Sequence, residues 1–261
     1  LFLIILSNYS WQARIGTNPL ISRTSMLQAL IFDVDGTLAD TESAHLAAFN
    51  RAFAEEGRDW CWSEAEYTRL LEISGGKERI LHYWRQVQPG LVDIGGGVRD
   101  TVARLHELKT SFYEQAVQEG AVALRPGVLE LIENAHAAGL KLAIATTTSP
   151  VNIAALLRKA LGENWCDGFA VVEDASTAPN KKPHPQVYQQ TLARLGLSAS
   201  ACLAFEDSAN GLQAARAAGL PVIITPNGFT AHHDFSGALR VLPSLQGVTL
   251  EQLHTWHASH T

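Results

Sequence analysis

The sequence predicts an α/β protein, a parallel sheet with helices on both faces, interrupted by one inserted helical module. Two observations carry this prediction. Beyond Pro126-Gly127, helical and strand-like segments alternate, and such alternation builds parallel sheets covered on both sides. Well ahead of it, the apolar run Leu27-Gln28-Ala29-Leu30-Ile31-Phe32 reads as a buried strand that stops abruptly at two carboxylates, Asp33 and Asp35. Everything between is helical in pattern. The expected core is therefore Rossmann-like and discontinuous, residues 26–41 and 120–247, with a helical domain over 42–119 and a C-terminal tail over 248–261.

Each element has a local reason. The first strand ends in Gly36, which lets the backbone turn, and in Thr37, which adds a hydroxyl. In open α/β sheets the crevice outside such strand ends is where ligands bind. Glu42 to Glu56 places Ala44, Leu46, Ala47, Ala48, Phe49, Ala52 and Phe53 on apolar faces and ends at Gly57. Ser63 and Glu66 form a capping box that opens a helix through Leu70 and Leu71. Glu78 to Val87 offers Ile80, Leu81 and Trp84 at helical spacing, and after Pro89-Gly90 and Gly95-Gly96-Gly97 a long helix runs from Val98 to about Val117. Val128 to Ala138 is a helix stopped by Gly139, and Leu140 to Ala145 a strand. Ser149-Pro150 starts the next helix, with Ser as N-cap and Pro at the first position. Phe169 to Val172 is a short strand, Pro185 to Leu195 a helix closed by Gly196, and Cys202 to Phe205 a strand. Ser208 to Ala218 is a helix closed by Gly219, and Val222 to Ile224 the last strand.

Composition narrows the class. The chain has 261 residues, 46% apolar and 18% charged, with a net charge of −6, enough for one large or two smaller packed domains. Mild acidity and the lack of a Lys/Arg run argue against nucleic acid as a partner. Cys61, Cys166 and Cys202 are odd in number and show no C-x-x-C spacing, so a structural zinc or disulfide framework is not expected and a reducing compartment fits. No apolar run approaches the roughly 20 residues needed to span a bilayer. A monomeric, cytoplasmic chain without membrane partners is the expectation. Residues 1–25 differ in character from the rest of the chain: a short apolar start, Arg14, Arg23, and no acid before Asp33. Because Met26, the only methionine, directly precedes the first strand, upstream sequence translated by mistake is the preferred reading. The alternative is a transit peptide and a plastid location. Either way the segment is excluded from the fold.

Each predicted strand ends in chemistry. The first stops at Asp33 and Asp35, and the second at Thr146-Thr147-Thr148-Ser149, hydroxyls and amides before a helix N-terminus, a natural anion site. The third leads to Lys181-Lys182-Pro183, and the fourth ends at Glu206-Asp207-Ser208. Singly these are caps, solvated loop lysines or acids meeting a helix dipole. Jointly they put acids, hydroxyls, amides and a lysine on one sheet edge, which is what magnesium-assisted phosphoryl transfer requires.

Asp33-Val34-Asp35-Gly36-Thr37, the Thr146 hydroxyl, Lys182 before Pro183, and Glu206-Asp207 resemble, in order and spacing, the four motifs of haloacid dehalogenase-type (HAD-like) phosphatases. The resemblance covers residues from 26 to about 245. It implies a HAD-like core, with the helical insert as a C1 cap that closes over the site and sets specificity. It further implies that Asp33 is the nucleophile, forming an aspartyl-phosphate, and that Asp35 is general acid and then base. Thr146, the Thr147 amide and Lys182 would hold the phosphoryl group, and Mg2+ would lie between Asp33, the Asp35 carbonyl and Asp207, with Glu206 close by. The two-aspartate spacing also has a physical reason: one carboxylate stays ionised beside the cation while its neighbour carries a proton.

Within the family the run Ala29 to His45 is similar to the opening of CbbY-type enzymes, and Tyr67-Thr68-Arg69-Leu70-Leu71 with Ser74-Gly75-Gly76-Lys77-Glu78-Arg79 to their cap signature. A more distant resemblance is to β-phosphoglucomutase. CbbY-type enzymes remove the 1-phosphate of xylulose-1,5-bisphosphate, a Rubisco inhibitor, leaving xylulose-5-phosphate, so the implied partner is a small sugar bisphosphate. Gly75 and Gly76 before Lys77 and Arg79 open a helix N-terminus with two cations, able to grip a second, non-reacting phosphate. The plainer alternative is a surface Lys-Glu-Arg helix start. Glu42 at the hinge is expected to hydrogen-bond a sugar hydroxyl, with His45 beside it. His232-His233 and His254, His257 and His260, the latter in an expected frayed tail, read as solvated. The rival activities are a mutase and a sugar monophosphate or phosphoglycolate phosphatase. A non-catalytic sugar-phosphate sensor would lack one of the two aspartates, and both are present.

Overall fold

The computed structural model describes residues 26–93 and 96–260; the extension over 1–25 and Gly95 of the glycine run lie outside the described residues. Six strands, β1 (Ala29–Phe32), β2 (Lys141–Ala145), β3 (Val171–Glu173), β4 (Cys202–Glu206), β5 (Val222–Ile224) and β6 (Arg240–Val241), form one sheet in the order β3-β2-β1-β4-β5-β6. Every pairing is parallel. β1 is buried along its whole length, as the unbroken apolar run requires of a central parallel strand.

Side chains alternate across a strand, and each face of the sheet meets its own helices. Leu30 and Phe32 pack with α5 (Val128–Ala137), α6 (Pro150–Leu161) and α9 (Leu250–Ala258). Ala29 and Ile31 face the opposite way, with α7 (Gln186–Leu195) and α8 (Ala209–Ala217). Both faces of the predicted α/β core are thus covered. Among the described residues no helix is long and apolar enough to cross a membrane.

Between β1 and β2 run α1 (Glu42–Glu55), α2 (Glu64–Leu70), α3 (Gly76–Val87) and α4 (Gly97–Gln118). They close around their own core of Phe49, Phe53, Trp62, Tyr67, Leu70, Ile80, Trp84, Val102 and Leu105. The chain leaves and re-enters the sheet at one place: Ala39 bridges Leu124 in antiparallel fashion. The Asp40 N–H donates to the Ala123 carbonyl at 3.2 Å, and the Arg125 N–H to the Leu38 carbonyl at 2.9 Å.

The structure departs from the sequence reading in four places, the first being β6, which adds a sixth strand beyond the expected last one. Strand β3 starts at Val171, because Trp165–Gly168 winds into a 3-10 turn and Phe169 packs into the α5/α6 layer. Helix α3 starts two residues early, at Gly76, because Gly75 takes φ +99°, which lets the chain turn into it. Residues 248–261 do not fray as a tail. Thr249 accepts from the Gln252 N–H, and Gln252 accepts from the Thr249 N–H at 2.9 Å, a complete capping box. Leu253 is fully buried in the core, worth about 1.5–3 kcal/mol, and His257 is buried beside it rather than solvated.

Candidate active site

The sheet register assembles the site. Phe32 pairs with Ile144 on one side and Phe205 on the other, so the next residues, Asp33, Ala145 and Glu206, come level at the carboxyl edge. Lys182 enters from the loop before α7 and is 5% exposed. Its ammonium donates to Asp33 Oδ1 at 2.7 Å, the Ala145 carbonyl at 2.9 Å and Glu206 Oε1 at 2.5 Å, which uses all three of its N–H groups. Tyr188 of α7 donates its hydroxyl to the same Glu206 oxygen. Asp207 follows on the β4–α8 turn, with Oδ2 accepting from the Asn227 amide at 2.8 Å. Gly36 sits under this pair at φ +77°; a Cβ there would lie 2.6 Å from Asn227 Nδ2 and overlap the Asp207 carboxylate.

Charge is concentrated here. Burial pushes the Asp33 carboxyl up to about 7 against the pull of Lys182, with Glu206 adding to the push. Burial, together with Asp33 and Glu206, holds Asp207 well above the usual carboxylate range. Burial pulls Lys182 down, but Asp33 and Glu206 outweigh it and hold the ammonium above its ordinary value. Ligand atoms of Asp33, Glu206 and Asp207 lie within 4.8 Å of one another. With all three ionised, the carboxylates against one ammonium carry an excess of two negative charges, which burial opposes unless a cation is bound, and Glu206 Oε2 is buried without a partner. Hard oxygen donors with that charge balance fit a divalent cation such as Mg2+.

Thr146, 1% exposed, accepts from the Thr148 N–H at 3.3 Å, which leaves its own O–H free to donate. Thr147 and Thr148 turn the chain into α6, whose N-terminus is capped by Ser149 and points its dipole at the cavity edge.

A second group reaches the site from the insert. His45 Nε2 is 3.0 Å from Asp35 Oδ1, and His45 Nδ1 is 2.7 Å from the Lys109 ammonium. An ammonium only donates, so Nδ1 is the acceptor and Nε2 carries the proton given to Asp35. Burial pushes Asp35 up, but His45 and the hydrogen bond from it outweigh this and hold the carboxyl well below the usual range. Burial lowers Lys109 to about 8; it lies 4% exposed between the rings of Phe49 and Tyr113.

Gly75, Gly76, Lys77 and Arg79 line the roof. Arg79, expected to grip an anion, spends donors on the Leu70 carbonyl at 3.0 Å, the Ile73 carbonyl at 3.2 Å and the Tyr67 hydroxyl at 3.2 Å. Tyr67 in turn donates to Glu42 Oε2 at 2.7 Å. Lys77 is exposed. Lys181 lies against Gly75, and burial with Lys109, Lys77 and Lys181 pushes His106 down to about 3, so its ring is neutral. Every residue designated from the sequence lines one cavity of about 410 Å³.

A family model for haloacid dehalogenase-like hydrolases matches residues 27–219. The chain belongs to this family. It is similar to the plasmid-encoded CbbY protein of Cupriavidus necator, 57% identical over 219 residues, 84% of this chain and 86% of that protein. It is 46% identical to CbbY of Rhodobacter capsulatus over 228 residues, 87% and 97% of the two chains. The crystal structure of CbbY from Rhodobacter sphaeroides in complex with phosphate matches with a TM-score of 0.81 at 41% identity, covering 87% of this chain and 99% of that one. A mutant of that protein in complex with xylulose-(1,5)bisphosphate matches with the same values. This chain is thus an enzyme, a phosphatase of the haloacid dehalogenase-like class.

In this haloacid dehalogenase-like site, several lining or supporting residues escape the sequence reading. Lys109 sits on the buried stripe of α4 with Val102, Leu105, Tyr113 and Val117, and His106 beside it, with no motif to single them out. Asn227 and Thr230 follow β5 in a stretch that reads as a loop, and Arg125 stands at the hinge. Its guanidinium donates to the Gly36, Thr225 and Pro226 carbonyls. The one legible signal is Lys181, adjacent to Lys182 in the same basic pair.

Proposed function

We propose that the protein is a magnesium-dependent sugar-phosphate phosphatase that removes the 1-phosphate of xylulose-1,5-bisphosphate to give xylulose-5-phosphate. In a host that fixes carbon this relieves Rubisco inhibition. The observation that carries the reading is the two-ended cavity. Lys182 is committed to Asp33 and Glu206, while separate cations, Lys77 and Lys181, gather around His106 in the same cavity. One end suits the reacting phosphate and the other a second phosphate. The relative crystallised with xylulose-(1,5)bisphosphate supports the same substrate.

In this reading Asp33 attacks phosphorus and forms an aspartyl-phosphate. Mg2+, held by Asp33, Asp207 and the Asp35 carbonyl with Glu206 close by, would neutralise charge on the phosphoryl oxygens. Lys182 orients the Asp33 carboxylate, and the Thr146 O–H and Thr147 N–H hold the transferring group. Asp35 delivers a proton to the leaving oxygen, and the His45 Nε2–H, its ring fixed by Lys109 at Nδ1, donates a hydrogen bond to the carboxylate that results. With its proton given up, Asp35 is the base that takes one from the attacking water. Glu42, already fixed by Tyr67, has an oxygen left for a sugar hydroxyl.

The test is phosphate release with Mg2+ from xylulose-1,5-bisphosphate, ribulose-1,5-bisphosphate, phosphoglycolate and β-glucose-1-phosphate. A strong preference for xylulose-1,5-bisphosphate, abolished by Asp33→Asn, is expected. Equal rates on all four, or conversion of glucose-1-phosphate to glucose-6-phosphate without phosphate release, overturns the substrate assignment.

A further inference from the structure

We propose that Asn227 is a positioning residue that fixes how Asp207 presents its carboxylate to a divalent cation. The inference rests on the reading of Asp33, Glu206 and Asp207 as the cation site. The Asn227 amide has no freedom to flip: its Oδ1 accepts from the Phe229 N–H at 2.8 Å, so Nδ2 is the atom that donates to Asp207 Oδ2 at 2.8 Å. That bond anchors one Asp207 oxygen and so fixes the direction in which the carboxylate faces the cluster with Asp33 and Glu206.

The turn that carries Asn227 is itself tied down at several points. The Asn227 N–H donates to Thr230 Oγ1 at 3.0 Å, and the Ala231 N–H to the Asn227 carbonyl at 2.9 Å. The preceding residues are held by Arg125, which donates to the Thr225 hydroxyl at 3.1 Å and the Pro226 carbonyl at 2.7 Å. The Thr225 N–H donates to the Glu206 carbonyl at 2.8 Å, which sets the turn against the end of β4. At its far end Phe229 meets Tyr67 of the insert edge to face, 5.8 Å between centroids. The turn thus links the hinge, the insert and one oxygen of Asp207. Groups that orient a metal ligand in this way commonly contribute 10–100-fold to metal affinity.

Binding of Mn2+, followed by electron paramagnetic resonance of the free ion, and of Mg2+, by calorimetry, is measured on the full chain without substrate. Asn227→Ala is expected to weaken both by about 10–100-fold, with KM for the sugar phosphate unchanged at saturating Mg2+. Asn227→Ser, whose hydroxyl still accepts from the Phe229 N–H but falls short of Asp207, gives the same loss and serves if the alanine variant does not fold. Thr230→Val removes the bond that ties the Asn227 N–H but leaves the amide on Asp207, and gives a smaller loss of metal affinity than either Asn227 variant. Wild-type affinity in both Asn227 variants overturns the inference and leaves the cation site standing. A wild-type protein that binds neither ion overturns the cation site itself.

Discussion

Replacing Lys109 by Met should make the protein more stable and a poorer enzyme at once. The ammonium is 4% exposed, and burial moves it from 10.5 to about 8, a displacement that corresponds to about 3 kcal/mol against the charged form. Met fills the same volume without that penalty. At pH 7 the variant should gain what remains of this after the hydrogen bond to His45 is lost, up to about 1.5 kcal/mol, or about 3–6 °C in Tm for a chain of this size. The pH dependence has a definite sign. Between about 8 and 10.5 the unfolded wild type holds a proton on this lysine that the folded state lacks, so wild-type stability rises with pH there. The advantage of the variant is therefore full below pH 8 and fades toward 10.5. Activity moves the other way. The hydrogen bond from an ammonium to His45 Nδ1 is worth about 1.5–3 kcal/mol, and its loss frees the imidazole to adopt the wrong tautomer, lowering kcat about 10- to 150-fold. Thermal unfolding monitored by circular dichroism from pH 6 to 10, with phosphate release across the same range, measures both effects. A variant that melts below the wild type at pH 7, or that keeps its kcat, refutes the reasoning.

Two further outcomes are expected from the same geometry. Lys77→Ala should raise KM for xylulose-1,5-bisphosphate about 10-fold or more, the worth of one charge-assisted hydrogen bond, with little change on a small monophosphate; steady-state kinetics on both decides, and equal losses would remove Lys77 from the second phosphate. Gly211 approaches Glu206 so closely that an added Cβ would overlap its carboxylate, so Gly211→Ala should displace Glu206 and destabilise the fold by about 1–3 kcal/mol, measurable by urea unfolding.

What the sequence made legible depends on where the physics is local. Apolar runs such as Ala29–Phe32 and Cys202–Phe205 announce strands because a central parallel strand is buried on both faces, and Ser63 or Ser149 announces a helix start because capping acts within four residues. The core acids and Lys182 are legible because register brings each strand end to the same edge. Strand β6 is not legible: two exposed residues, Arg240 and Val241, give no period to read. Helix α9 does carry a readable box, Thr249 to Gln252, but its histidines look like solvated tail until Leu253 and His257 find the core. Lys109 is the instructive omission. Its spacing places it on the apolar stripe of α4 with Leu105 and Tyr113, but only the packing of α4 against α1 supplies its partner, His45. Arg79 errs in the opposite direction, since its charge is legible but the Leu70 and Ile73 carbonyls that claim its donors are a matter of tertiary structure.

The antiparallel bridge between Ala39 and Leu124 has an evolutionary and mechanical meaning. Ala44, Ala48, Tyr113 and Val117 of α1 and α4 anchor the insert in the core of the sheet, but because it departs and returns through adjacent backbone, doubling its length costs only about 0.6 kcal/mol in loop closure. The insert is in that sense a graftable part. Sequence drift in α2 and α3 can retune the roof over the cavity while the edge that holds Asp33, Lys182 and Glu206 keeps its register. His45 and Lys109, on α1 and α4 and 2.7 Å apart, reach Asp35 as one hydrogen-bonded unit.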